Sequence, residues 1–223
     1  MKALVIMPTF NESESLETTV SALRAVNSNV HLLIVDDNSP DGTGEIADSL
    51  RDEKTFVLHR ESKQGLGAAY LEGFTWALSR DYEVVVEMDA DGSHRAQDLQ
   101  GILNAVEHAD LAIGSRWVSG GSVLNWPWYR KAISRAGNLY AKIMLRTNIN
   151  DMTAGYSAYR SDFLRQLNLN GVASRGYAFQ VEMALRVVKA RGVVKEVPIT
   201  FIERTQGASK MTTAIVLEAL WLV

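Results

Sequence analysis

The stretch VVVEMDADGSH, Val84–His94, runs an apolar segment into three acids at every second position and then breaks at Gly92. On a strand, alternate residues share a face, so Glu87, Asp89 and Asp91 would crowd one side and repel one another. A cation belongs between them. The β-branched run ahead of the acids reads as a strand that ends in a polar turn, the form taken at the ligand-binding edge of an open α/β sheet.

Outward from this stretch, similar short runs recur: ALVIM, HLLIVDD, FVLHR and DLAIGSR, with YEVVVEMD itself the fourth in order. Helical patterns separate them, carried by Leu16, Val20 and Leu23 behind an Asn11/Glu14 capping box, by Ile46 and Leu50, by Ala69, Phe74 and Ala77, and by Leu99, Leu103 and Val106. Such alternation predicts an α/β fold with a mostly parallel central sheet flanked by helices. Asp36/Asp37, Asp89/Asp91 and Ser115/Arg116 then fall at the carboxyl ends of separate strands, where one cleft would gather them.

Beyond Trp117 the pattern changes. SGGSVLNWPW reads as a loop, followed by a helix from about Tyr129 to Leu145, an irregular NINDMTAGYSAYR, two further helical segments and one strand, VVKEVPITFIER. No long linker, repeat or low-complexity tract interrupts the chain, so one domain over 1–223 is expected, with halves 1–118 and 119–223.

A chain of 223 residues that is 47% hydrophobic can bury roughly 70–75% of its unfolded surface without staples. Zero cysteines exclude disulfides and thiolate metal sites, leaving oxygen or histidine ligands and favouring a hard cation. A net charge of -3 and a pI near 5.8 argue against nucleic acid as a partner. MKALVIMPTF reads as a first strand and not a signal peptide, which makes a cytoplasmic protein the expectation. No run approaches the roughly 20 apolar residues of a membrane span. AIVLEALWLV, at the end, reads as an apolar helix that docks on the core or a membrane, or that continues.

Asp89 and Asp91 suit Mg2+ or Mn2+, which one or two carboxylates and substrate phosphate oxygens would share; Glu87 is not counted as a ligand. DDNSPDGTGEIAD imitates a calcium loop from Asp37, but a strand precedes it where a helix is required, so Asp36 or Asp37 reads better as an acceptor for a nucleotide's sugar or base. GLGAAYLEG lacks the third glycine of a dinucleotide fingerprint and signals close helix–sheet packing. Arg116, Arg130, Arg135, Arg204 and Lys210 are scattered, each ordinary surface charge when taken singly. Arg204 and Lys210, however, flank TQGAS, a polar loop suited to an anion. His94 is open to a base, ligand or structural role. Trp117, Trp126, Trp128 and Tyr129 suit equally a core or an amphipathic rim near lipid or sugar.

Taken in order, PTFNE, DDNSPDGT, GLGAAYLEG, MDADGSH, GSR, RKAISRAGN, DMTAGY, GYAFQVEM and VPITFIERTQGASK closely resemble polyprenyl-phosphate (dolichol-phosphate) mannose synthases of glycosyltransferase family 2, over nearly the whole chain. The resemblance implies a GT-A fold, with 1–118 as the nucleotide-binding half and 119–223 as the acceptor-binding half. It implies inverting transfer of mannose from GDP-mannose to a polyprenyl phosphate at the cytoplasmic face of a membrane. Pro8, Thr9, Asn11, Glu12, Asp37 and Asp89 would line the nucleotide site. Asp89 and Asp91 would bind the metal, with Ser93 a weaker partner. Asp91, Arg116 and Arg130 would be catalytic, and Arg116, Arg130, Ser134, Arg204 and Lys210 would bind acceptor or phosphate. Ser157 stands where the family often has arginine, and Arg160 or another cation would compensate. Alternatives are a related enzyme using another donor such as UDP-glucose, and a non-catalytic sugar-nucleotide-binding module.

Overall fold

The computed structural model describes residues 1–174, 176 and 178–203. Five parallel strands come first: β1 (Ala3–Thr9), β2 (His31–Asp36), β3 (Thr55–His59), β4 (Val84–Glu87) and β5 (Leu111–Ser115). Helices α1 (Leu16–Val26), α2 (Thr43–Ser49), α3 (Leu66–Leu78) and α4 (Leu99–Val106) connect them. Later elements are β6 (Ser122–Leu124), α5 (Trp128–Met144), β7 (Ser157–Arg160), α6 (Ser161–Leu164), α7 (Ala178–Lys189), β8 (Val194–Pro198) and β9 (Thr200–Ile202).

The main sheet has the order β3-β2-β1-β4-β7-β5-β8, and β6 pairs with β9 in a second sheet. β7 alone runs antiparallel, with Glu87 opposite Ser157 and Val84 opposite Arg160. Period-two alternation divides the core. Leu4, Ile6, Leu33 and Val85 face one layer, which includes Phe74 of α3 and Phe179 of α7. Val5, Met7, Ile34 and Val86 face the other, which includes Leu23 of α1 and Leu103 of α4. Two close approaches fix α3: a Cβ on Gly73 would lie 2.7 Å from Ile6, and one on Gly67 would lie 2.8 Å from the Phe179 ring. GLGAAYLEG is therefore a packing motif, as expected.

Four expectations need correction. SGGSVLNWPW is not all loop, because its Ser122–Leu124 is β6, paired with β9. DMTAGYSAYR is not wholly irregular, because its second half is β7, a central strand. VVKEVPITFIER is two strands in two sheets, β8 and β9, divided at the buried Ile199. The Asn11/Glu14 capping box does not form: Asn11 has φ 57°, and Ser15, with no side-chain cap bond, occupies the N-cap. The backbone carbonyl of Glu12 instead accepts from Ser15 and Leu16, so the chain turns before the helix starts.

Candidate active site

Because β7 is antiparallel, its first residue reaches the carboxyl edge of its parallel neighbours, and the loop of residues 151–156 enters there. The acid turn after β4 lies under that loop. A Cβ on Gly155 would sit 3.5 Å from Oδ2 of Asp89. Gly92, at φ 75°, reverses the chain, and Thr19 of α1 ties the turn down by donating to the Ala90 carbonyl at 3.0 Å.

Each acid of the opening stretch has a different setting. Glu87 is fully buried, no hydrogen bond of ordinary geometry reaches its oxygens, and burial, helped by the Asp89 charge, pushes its carboxyl well above the usual range. Tyr159, facing it, opposes that shift without overcoming it. Glu87 is thus a core acid whose burial favours the neutral form, and not a third ligand. Asp89 is half-buried, with the Tyr70 hydroxyl 3.4 Å from Oδ1. Asp91 Oδ1 accepts from the Ser93 backbone N–H at 3.0 Å and from the Ser93 hydroxyl. Ser93, expected as a weak metal partner, buttresses Asp91 here.

His94 is structural. Its Nδ1 accepts the Asp89 backbone N–H at 3.1 Å, which places the ring proton on Nε2. The ring stacks on Tyr156 at 4.8 Å and meets the edge of Phe201 at 5.6 Å. Burial, above all, lowers its pKa to about 4, so it is neutral.

Among the described residues no three histidine, aspartate or glutamate side chains gather to hold a metal by protein ligands alone. Asp89 and Asp91 nonetheless offer hard oxygen donors at the carboxyl end of β4. That set fits Mg2+ or Mn2+, which bind through one or two carboxylates with substrate phosphates completing the shell.

At the neighbouring strand ends, Thr9 donates to Asp36 at 2.8 Å, and Asp36 also accepts from Ser39, so Asp36 stitches β1 to the turn after β2. Asp37 is buried against Arg60; burial raises its pKa, and Arg60 holds the rise down. Pro8 is half-buried in β1, while Asn11 and Glu12 donate their backbone N–H groups to Ser39 and Thr43 at 3.1 and 3.0 Å. Asp41 accepts from Ser13 and Thr43; burial would raise its pKa, and these bonds outweigh that and hold it at about 2. The expected nucleotide residues Pro8, Thr9, Asn11, Glu12 and Asp37 therefore share one rim with Asp89.

The basic residues are less scattered in space than in sequence. Arg116, buried, makes a two-pronged pair with Asp151, Nε to Oδ2 at 2.8 Å and Nη2 to Oδ1 at 2.6 Å. Thr153 accepts from the same Nη2. Burial disfavours the charged guanidinium, but Asp151 more than restores it and the pKa is raised. Arg130 pairs with Glu203 at the end of β9, and Ser134 lies one turn further along α5, half-buried. Arg204 and Lys210 lie outside the described residues. Arg160 does not replace the arginine missing at Ser157: it sits opposite Val84, at the far edge of the sheet, bound to Asp162. Three residues of strand, about 10 Å, separate the two positions.

Sequence reasoning missed Asp151, Glu196 and Asn138. Glu196 of β8 accepts from the backbone N–H groups of Asn150 and Asp151, and Asn138 of α5 accepts from that of Met152. Together they clamp the loop that crosses Asp89. The only trace was Asp151 as the first residue of DMTAGY, with no local spacing to tie it to Arg116.

The profile of the family described as Glycosyl transferase family 2 matches residues 4–167. An undecaprenyl-phosphate mannosyltransferase of Micrococcus luteus is 53% identical over 99% of this chain and 91% of its own. A polyprenol monophosphomannose synthase of Mycolicibacterium smegmatis is 50% identical over 100% of this chain and 85% of its own. Among solved structures, glucosyl-3-phosphoglycerate synthase from Mycobacterium tuberculosis, in complex with Mn2+, UDP and glucosyl-3-phosphoglycerate, superimposes with a TM-score of 0.72 at 15% identity, covering 99% of this chain and 79% of that one. This last likeness concerns the fold.

Proposed function

Because the chain belongs to glycosyl transferase family 2, we propose that it transfers mannose from GDP-mannose to a polyprenyl phosphate with inversion, at a site that uses Mg2+ or Mn2+. The observation that carries this reading is the similarity, over 99% and 100% of the chain, to relatives named for mannose transfer to a polyprenyl carrier. The site's layout supports it: an acid pair at the end of β4, and Arg116 at the end of the β5 strand close enough to feel the Asp89 charge, with Arg130 beside it on the Trp126 ring.

An oxygen of the acceptor phosphate attacks the anomeric carbon. The bond from that carbon to the β-phosphate oxygen breaks, its electron pair departs on GDP, and the configuration inverts. A phosphate monoester has a second pKa of about 6, so the nucleophile is already ionised at neutral pH and no dedicated base is needed. His94 agrees with that economy, since its basic nitrogen, Nδ1, is already occupied by the Asp89 backbone N–H. A divalent cation bound by Asp89 and Asp91 would supply charge stabilisation for the departing diphosphate. Arg116 and Arg130, with Ser134, would receive the acceptor phosphate, and Arg204 and Lys210 would add charge from their loop. Pro8, Thr9, Asn11, Glu12 and Asp37 would line the nucleotide.

α5 supports a membrane-face location. Trp128 is 80% exposed, Ile143 63% and Tyr129 56%, while Ala141 and Asn138 on the other side are buried. A helix with such an outward face suits the cytoplasmic surface of the membrane that holds the acceptor. No helix of the described residues is long and apolar enough to cross a bilayer.

The test is transfer of labelled mannose from GDP-mannose into extractable lipid, with polyprenyl phosphate and with or without Mg2+ or Mn2+. Labelling that needs metal, and that falls about 10²-fold or more in Asp89→Asn and Asp91→Asn, is the expected result. Labelling from UDP-glucose alone would overturn the donor; full turnover in both variants would overturn the metal.

A further inference from the structure

Tyr70 buries a hydroxyl where packing asks only for a ring. It lies midway between Gly67 and Gly73, so it shares their face of α3 and enters the apolar layer that holds Phe74 and Phe179. The side chain is fully buried, and those two rings stack beside it at 6.3 and 5.8 Å, the second within 7° of parallel. A phenylalanine would fill the same space without a phenol O–H, a group that is costly to bury unless it finds a partner.

The partner is Asp89. Among the described residues it is the one group that bonds to this hydroxyl, with Oδ1 3.4 Å away, long for such a bond. A carboxylate only accepts, so the phenol donates. Oδ2 is bounded separately: a Cβ on Gly155 would lie 3.5 Å from it, and His94 Nε2 is 3.9 Å away. His94 also holds the Asp89 backbone N–H through Nδ1, so the main chain of this residue is fixed from its own turn and its side chain from α3. That division matters because the Asp89 side chain is 33% exposed, and packing alone leaves its carboxylate free to turn.

We propose that Tyr70, clamped by Phe179, is a positioning residue that sets the Asp89 carboxylate for a divalent cation. The inference rests on the reading that Asp89 holds the metal. It gives GLGAAYLEG a second use: Gly67 lets the Phe179 ring close on α3, and that ring keeps the phenol at the acid. A donor behind a metal ligand orients it before the cation arrives, and losing such a donor costs about 10–100-fold in metal affinity.

Binding of Mn2+, alone and with GDP, followed by electron paramagnetic resonance as loss of the free-ion signal, tests this in Tyr70→Phe with Asp89→Asn as the reference. Tyr70→Phe keeps both ring stacks and removes one oxygen, and its Mn2+ affinity is expected to fall about tenfold. GDP affinity without metal and the acceptor KM stay within about twofold, and saturating Mn2+ returns kcat to within about twofold of the native value, which a general packing defect would not permit. If Tyr70→Phe does not fold, Phe179→Leu carries the test, since it keeps the hydroxyl and removes the clamp; its Mn2+ affinity is expected to fall about threefold. Unchanged Mn2+ affinity in the folded variant, or an equal loss of metal-free GDP affinity, overturns the role of Tyr70, while lost Mn2+ binding in Asp89→Asn leaves the metal site standing. Native-like Mn2+ binding in Asp89→Asn, or none in the native chain, overturns the metal site and the inference with it.

Discussion

His94 shows how a residue beside an acid pair can serve it without touching substrate. Its Nδ1 fixes the backbone of Asp89, and only the neutral ring can accept that bond. The folded pKa of about 4 lies below the ordinary 6.5, so between those values the unfolded chain binds the extra proton. Stability is therefore complete above about pH 6.5 and is lost as the pH falls towards 4, by on the order of 3 kcal/mol in all. Urea midpoints from pH 7 to pH 4.5 should fall in the native protein and fall less in His94→Asn, whose amide oxygen can replace Nδ1. Parallel slopes would remove His94 from the account. The sequence offered His94 with its roles open, because tautomer and burial depend on Tyr156 and Phe201, which arrive from far along the chain.

Helix α3 and strand β7 mark what could and could not be read at the scale of elements. The two tight glycines of α3 were legible as packing signals, since small residues on a helix over a sheet have few other uses. Gly67→Ala would drive a Cβ to 2.6 Å from the Ser174 carbonyl oxygen, an overpacking that should cost about 1–3 kcal/mol. Gly137→Ala, with nothing within 4 Å inside α5, should instead gain roughly 0.8–1 kcal/mol. Equilibrium urea unfolding of both variants distinguishes the two environments, and a neutral Gly67→Ala would show that α3 can shift. β7 was not legible. Its four residues, SAYR, are too few for a period, and their partners Glu87 and Ile113 lie 70 and 44 residues away by register. The five parallel strands could be read because each carries a β-branched run of its own. The arginine cluster could not, because Asp151, Trp126 and Glu203 bring it together from three separate loops and strand ends.

Across the whole molecule, the acid pair, the clamped loop and the arginine–indole stack lie on one side of the sheet, and α5 turns its apolar side chains to solvent nearby. If that face meets the membrane, Trp128→Ser with Ile143→Ser should lower the fraction bound to anionic vesicles about tenfold or more, while the thermal midpoint stays put. Unchanged sedimentation with vesicles would detach α5 from the membrane. The place of β7 has another consequence, for synthesis on the ribosome. When residue 115 has emerged, five strands exist, but β4 and β5 are separated by a slot one strand wide, about 10 Å across. Nothing made so far can fill it. The strand that does arrives more than forty residues later, so the early sheet waits open, and a nascent chain stopped anywhere before β7 has the acids of the turn after β4 with that strand paired on its β1 side alone.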